Sequence, residues 1–416
     1  MPSYYIWTIG CQMNRAESER LAALFRSHGY TESSHADTAD VIVLNSCVVR
    51  KHAEDKVINK LHNLKALKNR LPNIRIILTG CFVGQDPAEL YKLFPYVDDF
   101  LKPGEFPAWL TKTDCITVPL TPSAISAFVP IIQGCNNFCT YCIVPYRRGR
   151  EKSRVPEDIV CEVRQLAQRG IKEVTLVGQN VDSYGHDLPD RPDLARLLTE
   201  LNGIDGLVRL RFLTNHPKDM SQTLIETMAR LSKVCRQINL PVQSGDDSIL
   251  QSMHRGYCAA DYRALIARLR QAMPDIAITT DIIVGFPGES EEQFQNTYEL
   301  LAELKFDAVH VAAYSPRPGT LAASQFIDDV LPESKKTRLT AVETLQERIA
   351  GEINAVHLGQ TLEVLVDDTN KGRWQSRTRS DKVVFFSGGE NLQGKTAMVS
   401  IEKTSSWSLQ GKLYTE

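Results

Sequence analysis

Residues 133–142 read QGCNNFCTYC and place Cys135, Cys139 and Cys142 in one short loop. The spacing points to soft-metal or redox chemistry. A structural zinc site takes four protein ligands, and a catalytic one keeps a position open. No fourth cysteine follows until Cys161. A cubane iron–sulfur cluster usually takes four thiolates. With three, one iron keeps an open coordination position where a small chelating molecule can bind. Three further cysteines share a different pattern. Cys11, Cys47 and Cys81 each follow a strand-like run, in YYIWTI, ADVIVLNS and IRIILTG.

The elements around these runs say where the thiols emerge. Asn14 as N-cap and Glu17 three residues on form a capping-box-like pair. Leu21, Leu24, Phe25 and His28 recur at helical spacing, and Gly29 closes the segment. Ala53, Val57, Leu61 and Leu64 make a second helical stripe. The resulting β-α-β-α-β order predicts a parallel sheet with right-handed crossovers. Cys11, Cys47 and Cys81 then share its carboxyl edge, where open α/β folds bind ligands. A Thr/Ser/Pro-biased stretch at 111–126 reads as a linker.

Beyond it, strand-like segments at 127–133, 173–178, 208–214, 237–242, 276–284 and 308–314 alternate with helical ones. One helix opens at Pro156 and closes before Gly170, and another follows Ser290. Six βα units predict an incomplete (β/α) barrel, whose site belongs at the carboxyl ends of its strands. The cysteine loop follows the first of them. Gln179 and Asn180 end the second strand, Gln243 and Ser244 the fourth, and Tyr141 sits beside the cysteines. Gly285 and Gly288 in VGFPGE permit close backbone approach to a ligand, or serve simply as a strand-to-helix turn. A helical stretch runs from about 332 to 357, and short strands with polar turns from 358 onward predict a small β-barrel. The expected fold is α/β throughout its first two parts. A Rossmann-like sheet domain spans 1–115 and a linker 116–126. A partial TIM-like (β/α)6 barrel spans 127–357, and the terminal β-barrel 358–416.

The chain of 416 residues is 43% hydrophobic and 24% charged, with a net charge of −2. That balance argues neither for nor against nucleic acid as a whole, so a polyanion would need a local basic patch. Two stretches qualify. PYRRGREKSR carries Arg147, Arg148 and Arg150, with Lys152 and Arg154 beyond them. KGRWQSRTRSDK carries Lys371, Arg373, Arg377, Arg379 and Lys382 around Trp374, against Asp381 alone. Cations beside a stacking platform are what RNA and unstacked bases need. No stretch approaches about 18 apolar residues, and MPSYYIWTIG lacks a charged leader, so a cytoplasmic protein without a membrane span is expected. Ten cysteines in such a chain favour metal or redox chemistry over disulfides. Cys115, Cys161, Cys235 and Cys258 read as incidental thiols, with Cys161 on the apolar face of its helix. His216 is the histidine placed to line the barrel mouth.

A C-x3-C-x2-C with Tyr141 before the last cysteine resembles the radical S-adenosylmethionine (SAM) superfamily. GCQMN, SCVVRKHAEDKV, TGC, VGQNVDSYG, TNHPKD, LPVQSGDDSILQSMHRGY, DIIVGFPGESEEQF and YSPRPGT extend the likeness over the chain, to the radical-SAM methylthiotransferases. That resemblance implies a [4Fe-4S] cluster on Cys135, Cys139 and Cys142 whose open iron takes SAM and yields a 5′-deoxyadenosyl radical. It implies a second [4Fe-4S] cluster on Cys11, Cys47 and Cys81, and a terminal RNA-gripping TRAM domain. Within the family, GCQMN and the basic tail favour the branch acting on N6-isopentenyladenosine at position 37 in the tRNA anticodon stem-loop. Branches acting on threonylcarbamoyl-adenosine or on a ribosomal-protein aspartate are the alternatives. The family's TRAM stretch usually has Gly where Ser376 precedes Arg377 and Thr378. An electron donor and a sulfur source are implied partners, and a monomer is expected. A non-catalytic iron–sulfur RNA-binding protein would need the open iron blocked, and nothing in QGCNNFCTYC blocks it. A zinc-dependent RNA-binding module fails on ligand count. The chemistry implied puts both open irons on one cavity, so the N-terminal cysteine edge is expected to pack over the barrel mouth.

Overall fold

A computed structural model describes residues 1–48, 51–84, 86–110, 124–370 and 372–414. Most of the expected linker, Cys115 and Lys371 lie outside the described residues. The three expected strands, Ser3–Thr8, Val41–Ser46 and Arg75–Gly80, run parallel at the centre of a five-stranded sheet. Two-residue strands, Thr31–Glu32 and Asp99–Phe100, extend its edges. All of Val41–Ser46 is buried, as a parallel strand covered on both faces must be. Alternate residues serve the two faces. Val41, Val43 and Ile77 meet Leu21, Leu24 and Phe25 of the helix Gln12–Ser27. Ile42, Leu44, Ile76 and Leu78 meet Val57, Leu61 and Leu64 of the helix Lys51–Arg70.

The first helix begins earlier than its sequence signals predict. Cys11, not Asn14, is its N-cap. Asn14 lies inside the first turn, fully buried, and donates to Asn45 Oδ1 at 2.7 Å and to the Ser46 carbonyl at 3.0 Å. Its amide ties the helix to the neighbouring strand, and that tertiary bond outweighs a local cap.

The barrel strands Ser126–Pro130, Glu173–Val177 and Arg209–Phe212 form one parallel sheet, and Gln237–Asn239, Ala277–Val284 and Ala308–Ala313 another. Backbone bonds from Leu210 N to the Lys233 carbonyl and from Cys235 N to the Leu210 carbonyl, both 2.8 Å, join them into one curved wall in chain order. The helix Pro156–Gln168 ends before Gly170, and Ser290 caps the helix Glu291–Leu304 through a capping box with Gln293. Cys161 is exposed on its helix, because Ile159, Val163, Leu166 and Ala167 form the buried face. The long helix Pro332–Ala355 adds Val342, Leu345 and Ile349 to the core.

Five strands between Thr361 and Leu413 close into a small barrel around Val364, Val366, Val384, Phe386, Val399, Ile401 and Leu409. This barrel docks under the larger one, at the amino ends of its strands. Arg209 Nη1 donates to the Arg377 carbonyl at 2.7 Å. Arg211 donates to the carbonyls of Thr378 at 2.8 Å and Arg379 at 3.0 Å. Among the described residues no helix is long and apolar enough to cross a membrane.

Candidate active site at the barrel mouth

The loop carrying Cys135, Cys139 and Cys142 leaves the first barrel strand and is braced from three sides. Gly134 N–H donates to Gln179 Oε1 at 2.6 Å, so Gln179 holds the loop by its base. Thr140 donates to the Ser252 carbonyl at 2.8 Å. Arg255 reaches in from beyond the fourth strand and donates Nη1–H to Cys139 Sγ at 3.3 Å. Gly134 sits at φ +81°, and a Cβ there would lie 2.1 Å from the Arg150 carbonyl, so the turn requires glycine. Burial pushes the Cys135 thiol up to about 11, with Glu151 and Cys139 adding to it, and Cys142 to about 12, with Cys139 and Cys135 adding to it. A metal that takes these thiols as thiolates must therefore displace their protons.

The second trio faces this loop. Cys11 caps the first helix, and Cys47 and Cys81 follow the second and third strands of the N-terminal sheet. Gly10 keeps the approach narrow, since a Cβ on it would lie 2.9 Å from Cys47 Cβ. Burial raises the Cys81 thiol, opposed by the nearby Arg148 guanidinium. Ile143, next in chain after Cys142, packs on Cys81 and Val48. Arg148 donates Nε–H to Cys81 Sγ at 3.2 Å and pairs with Glu17 at 2.6 Å. Arg317, beyond the last barrel strand, pairs with Glu54 at 3.3 Å. Met13 and Ala16 pack on Val177 and Phe128. The cysteine edge of the N-terminal sheet therefore covers the barrel mouth, as the chemistry required.

Among the described residues no three His, Cys, Asp or Glu side chains converge as a single ion requires. All-sulfur donor sets are soft and suit iron–sulfur clusters. The arginine N–H groups on Cys81 and Cys139 are the outer bonds such ligands commonly receive.

Beside the loop trio lies a buried polar network. Asn180 Nδ2 donates to Asp219 at 2.7 Å. Asp182 accepts from Asn215 Nδ2 and, at 2.9 Å, from His216 N–H. Burial lifts the Asp182 carboxyl to about 7 and drops His216 to about 2, the latter helped by Arg255 and Lys218. His216 Nδ1 accepts from Lys218 N–H at 3.3 Å, which leaves the proton of the neutral ring on Nε2. His216 Nε2, Asn180 Oδ1 and Asn215 Oδ1 are buried without a hydrogen-bond partner among the described residues. Buried polar atoms are normally paired, so these three are groups that a polar ligand or water could satisfy.

Other expected site residues fall differently. Tyr141 packs with Ile249, Met253, Phe286 and Tyr314, and its hydroxyl accepts from Arg255 at 3.4 Å. Gln243 sits at φ +75°, with its backbone bonded to Asp281 and Ile283. Ser244 is fully buried against Thr297 Oγ1 at 3.2 Å and accepts from Asp246 N–H, which turns it into packing. Gly285 abuts Lys335 of this chain and its N–H donates to Glu289 at 2.6 Å; Gly288 is exposed. GFPG is thus a turn held from within the chain, by Lys335 and Glu289.

The basic stretches divide likewise. Arg147 lies against Gly84, and Arg150 stacks over the Phe138 ring at 4.3 Å. Arg148 is not an RNA-facing cation, because it is buried on Glu17 and Cys81. Arg379 donates to the Val234 carbonyl at 2.9 Å, and Lys382 pairs with Asp307 at 2.6 Å. Both hold the small barrel to the large one. Arg377 pairs with Asp381 at 3.0 Å and is half-exposed. Arg373 is exposed, and Trp374 Nε1 donates to the Gly389 carbonyl at 3.3 Å. Arg255, Asp182, Asn215 and Asp219 escaped the sequence reading. Their signal was their place in VGQNVDSYG and TNHPKD, which follow strands, and in SMHRGY, which follows the short helix Asp247–Ser252.

Each of the three parts of the chain matches a known family. The Radical SAM superfamily matches residues 129–301, the uncharacterized protein family UPF0004 residues 3–102, and the TRAM domain residues 355–414. A tRNA-2-methylthio-N(6)-dimethylallyladenosine synthase of Dehalococcoides mccartyi is 56% identical over 413 residues, 99% of each chain. One of Chloroflexus aurantiacus is 49% identical, over 98% of this chain and 91% of its own. Among solved structures, the radical SAM methyltransferase TsrM of Kitasatospora setae, with cobalamin and a [4Fe-4S] cluster bound, superposes with a TM-score of 0.55. At 13% identity over 90% of this chain and 81% of that one, it speaks for the fold alone. Near-complete coverage at such identity to the first two is decisive: the chain belongs to the radical SAM family of tRNA-2-methylthio-N(6)-dimethylallyladenosine synthases.

Proposed function

We propose that this chain adds a methylthio group to C2 of N6-isopentenyladenosine at position 37 of the tRNA anticodon stem-loop. As a radical SAM methylthiotransferase it uses a [4Fe-4S] cluster and SAM. In this reading Cys135, Cys139 and Cys142 hold that cluster, and Cys11, Cys47 and Cys81 hold a second. The observation that carries it is two sets of three cysteines facing each other across one mouth, with no other described cysteine beside either. One cluster with SAM supplies a primary carbon radical strong enough for an unactivated C–H bond, and the other an iron that holds sulfur.

The chain's own residues do the rest. Gln179 and Arg255 fix the loop trio. Glu17 and Arg148 lock the N-terminal domain onto it. His216 offers a neutral Nε2–H donor, and Asn180 and Asn215 offer carbonyl acceptors, for a nucleoside or for SAM. Tyr141 adds an aromatic wall beside the cysteines. Arg150 on Phe138 near the mouth, with Arg373 and Trp374 on the small barrel, are the RNA contacts this reading retains. A low-potential electron donor, a sulfur source, a monomeric state and a cytoplasmic setting complete it.

The test is mass analysis of tRNA nucleosides from cells lacking the protein. Loss of 2-methylthio-N6-isopentenyladenosine with build-up of the unthiolated nucleoside is expected. An unchanged nucleoside profile refutes the assignment.

A further inference from the structure

A buried arginine donates to a sulfur of each cysteine trio, and the two differ in what balances their charge. A third buried arginine near Cys47, Arg317, is itself paired with Glu54. Arg255 donates to Cys139 Sγ, and its other bonds go to neutral oxygens, the Pro241 carbonyl at 2.7 Å and the Tyr257 hydroxyl at 2.9 Å. Among the described residues no carboxylate pairs with it. Arg148 donates Nε–H to Cys81 Sγ at 3.2 Å, while Nη1 and Nη2 bond both oxygens of Glu17 at 2.6 and 3.3 Å. The two side chains are 1% and 8% exposed, so solvent screens the pair little.

One-electron reduction makes a cluster more negative by one charge. A nearby cation and N–H···S bonds favour that state and raise the potential. A carboxylate fixed on the guanidinium cancels much of the cation's charge, yet leaves its N–H on sulfur. Arg255 acts with its full charge on the loop trio; Arg148 does not act so on the strand trio.

We propose that Glu17 sets the reduction potential of the auxiliary cluster, by pinning Arg148 on Cys81 and neutralising it. Glu17 makes that cluster harder to reduce than a lone arginine would. A low-potential one-electron donor serving the SAM-side cluster then meets less competition. Glu17 is a positioning residue here, since it acts through Arg148, and the inference rests on the two-cluster reading above.

The test uses the full chain with Cys135→Ala, Cys139→Ala and Cys142→Ala, loaded anaerobically and titrated with dithionite under paramagnetic resonance. In this background Glu17→Gln is expected to move the midpoint upward and Arg148→Met to move it downward. A loosened domain contact would move both the same way, so opposite signs identify the charge effect. Equal midpoints at equal iron content, or shifts of one sign, overturn the inference. If Glu17→Gln takes up no iron, Arg148→Met decides alone, and a midpoint not below that of the background overturns it. A background without any cluster overturns the two-cluster reading instead.

Discussion

The two cysteine sites are built in opposite ways. One draws its three thiols from a single loop of eight residues, Cys135 to Cys142, so local turn geometry nearly completes it. The other gathers Cys11, Cys47 and Cys81 from the ends of three strands, and exists only where the whole sheet is folded and in register. The loop site depends on Gly134, Gln179 and Arg255. The strand site depends on the sheet, on the Asn14 amide that ties helix to strand, and on Arg148 from the other domain. A local site can be read from spacing and lost by one substitution in its loop. A distributed site is nearly invisible to spacing and is lost by any change that shifts a strand end.

The largest effect tests whether the sites are separable at all. Cys139→Ala should abolish 5′-deoxyadenosine formation from SAM under reductant, and lower the iron content from about eight to about four per chain. Continued SAM cleavage, or loss of all the iron, would break the comparison by making one cooperative site of the two. Next come the glycines that shape each site. Gly80 stands at φ +90°, and a Cβ there would lie 2.4 Å from the Ser46 carbonyl. Gly80→Ala should cost at least about 1–3 kcal/mol and deplete the strand site of iron, with SAM cleavage retained. Gly134→Ala should do the reverse. Iron analysis with a SAM-cleavage assay on the two variants reads both outcomes.

This contrast also explains what the sequence made legible. QGCNNFCTYC announced the loop site by itself, and the repeated strand-then-cysteine pattern exposed the strand site because a parallel sheet forces its strand ends to one edge. The alternation of strands and helices carried the rest of the fold, down to the two helical faces of the N-terminal sheet. The implied chemistry put the N-terminal sheet over the mouth, but the residues that make the domain contacts were not legible. A run such as RTRSDK has the same composition whether it faces solvent or a neighbouring domain. Arg379 and Lys382 turned out to bind Val234 and Asp307 of the large barrel. Arg148 was misread for the same reason, because its partners Glu17 and Cys81 lie more than sixty residues away in the chain. Asn14 carried a cap signal, yet its amide was claimed by a strand that sequence alone does not bring near.

The floor of the barrel sharpens the comparison, since it should matter to stability and not to either cysteine site. Arg211 is buried, bonded to the carbonyls of Thr378 and Arg379 and, at 3.0 Å, to the buried Glu173. Arg211→Met strands that carboxylate and removes two docking bonds, which should cost about 3–5 kcal/mol. Thermal unfolding should show the loss, with iron content unchanged at a temperature where the variant remains folded. A parallel loss of iron would mean that the small barrel helps to shape the mouth.

The smallest effect separates the sites by pH. The polar network flanks the loop trio, and its Asp182 carboxyl is raised to about 7, chiefly by burial and against the bonds from His216 and Asn215. An unfolded aspartate titrates near about 3.9. Between these values the native state binds the proton that the unfolded state has released, so stability falls as pH rises through this window. The contribution is full below about pH 4 and is lost once pH passes the folded value. Asp182→Asn carries no such proton and should flatten that part of the stability profile. Urea unfolding at a series of pH values between about 4 and 7 measures it. The slope difference between parent and variant should approach one proton at most. Glu17→Gln, in contact with the strand site, serves as the control on the other side, and a profile flattened equally by both variants would mean that the titration belongs to the shared domain contact and not to the loop site.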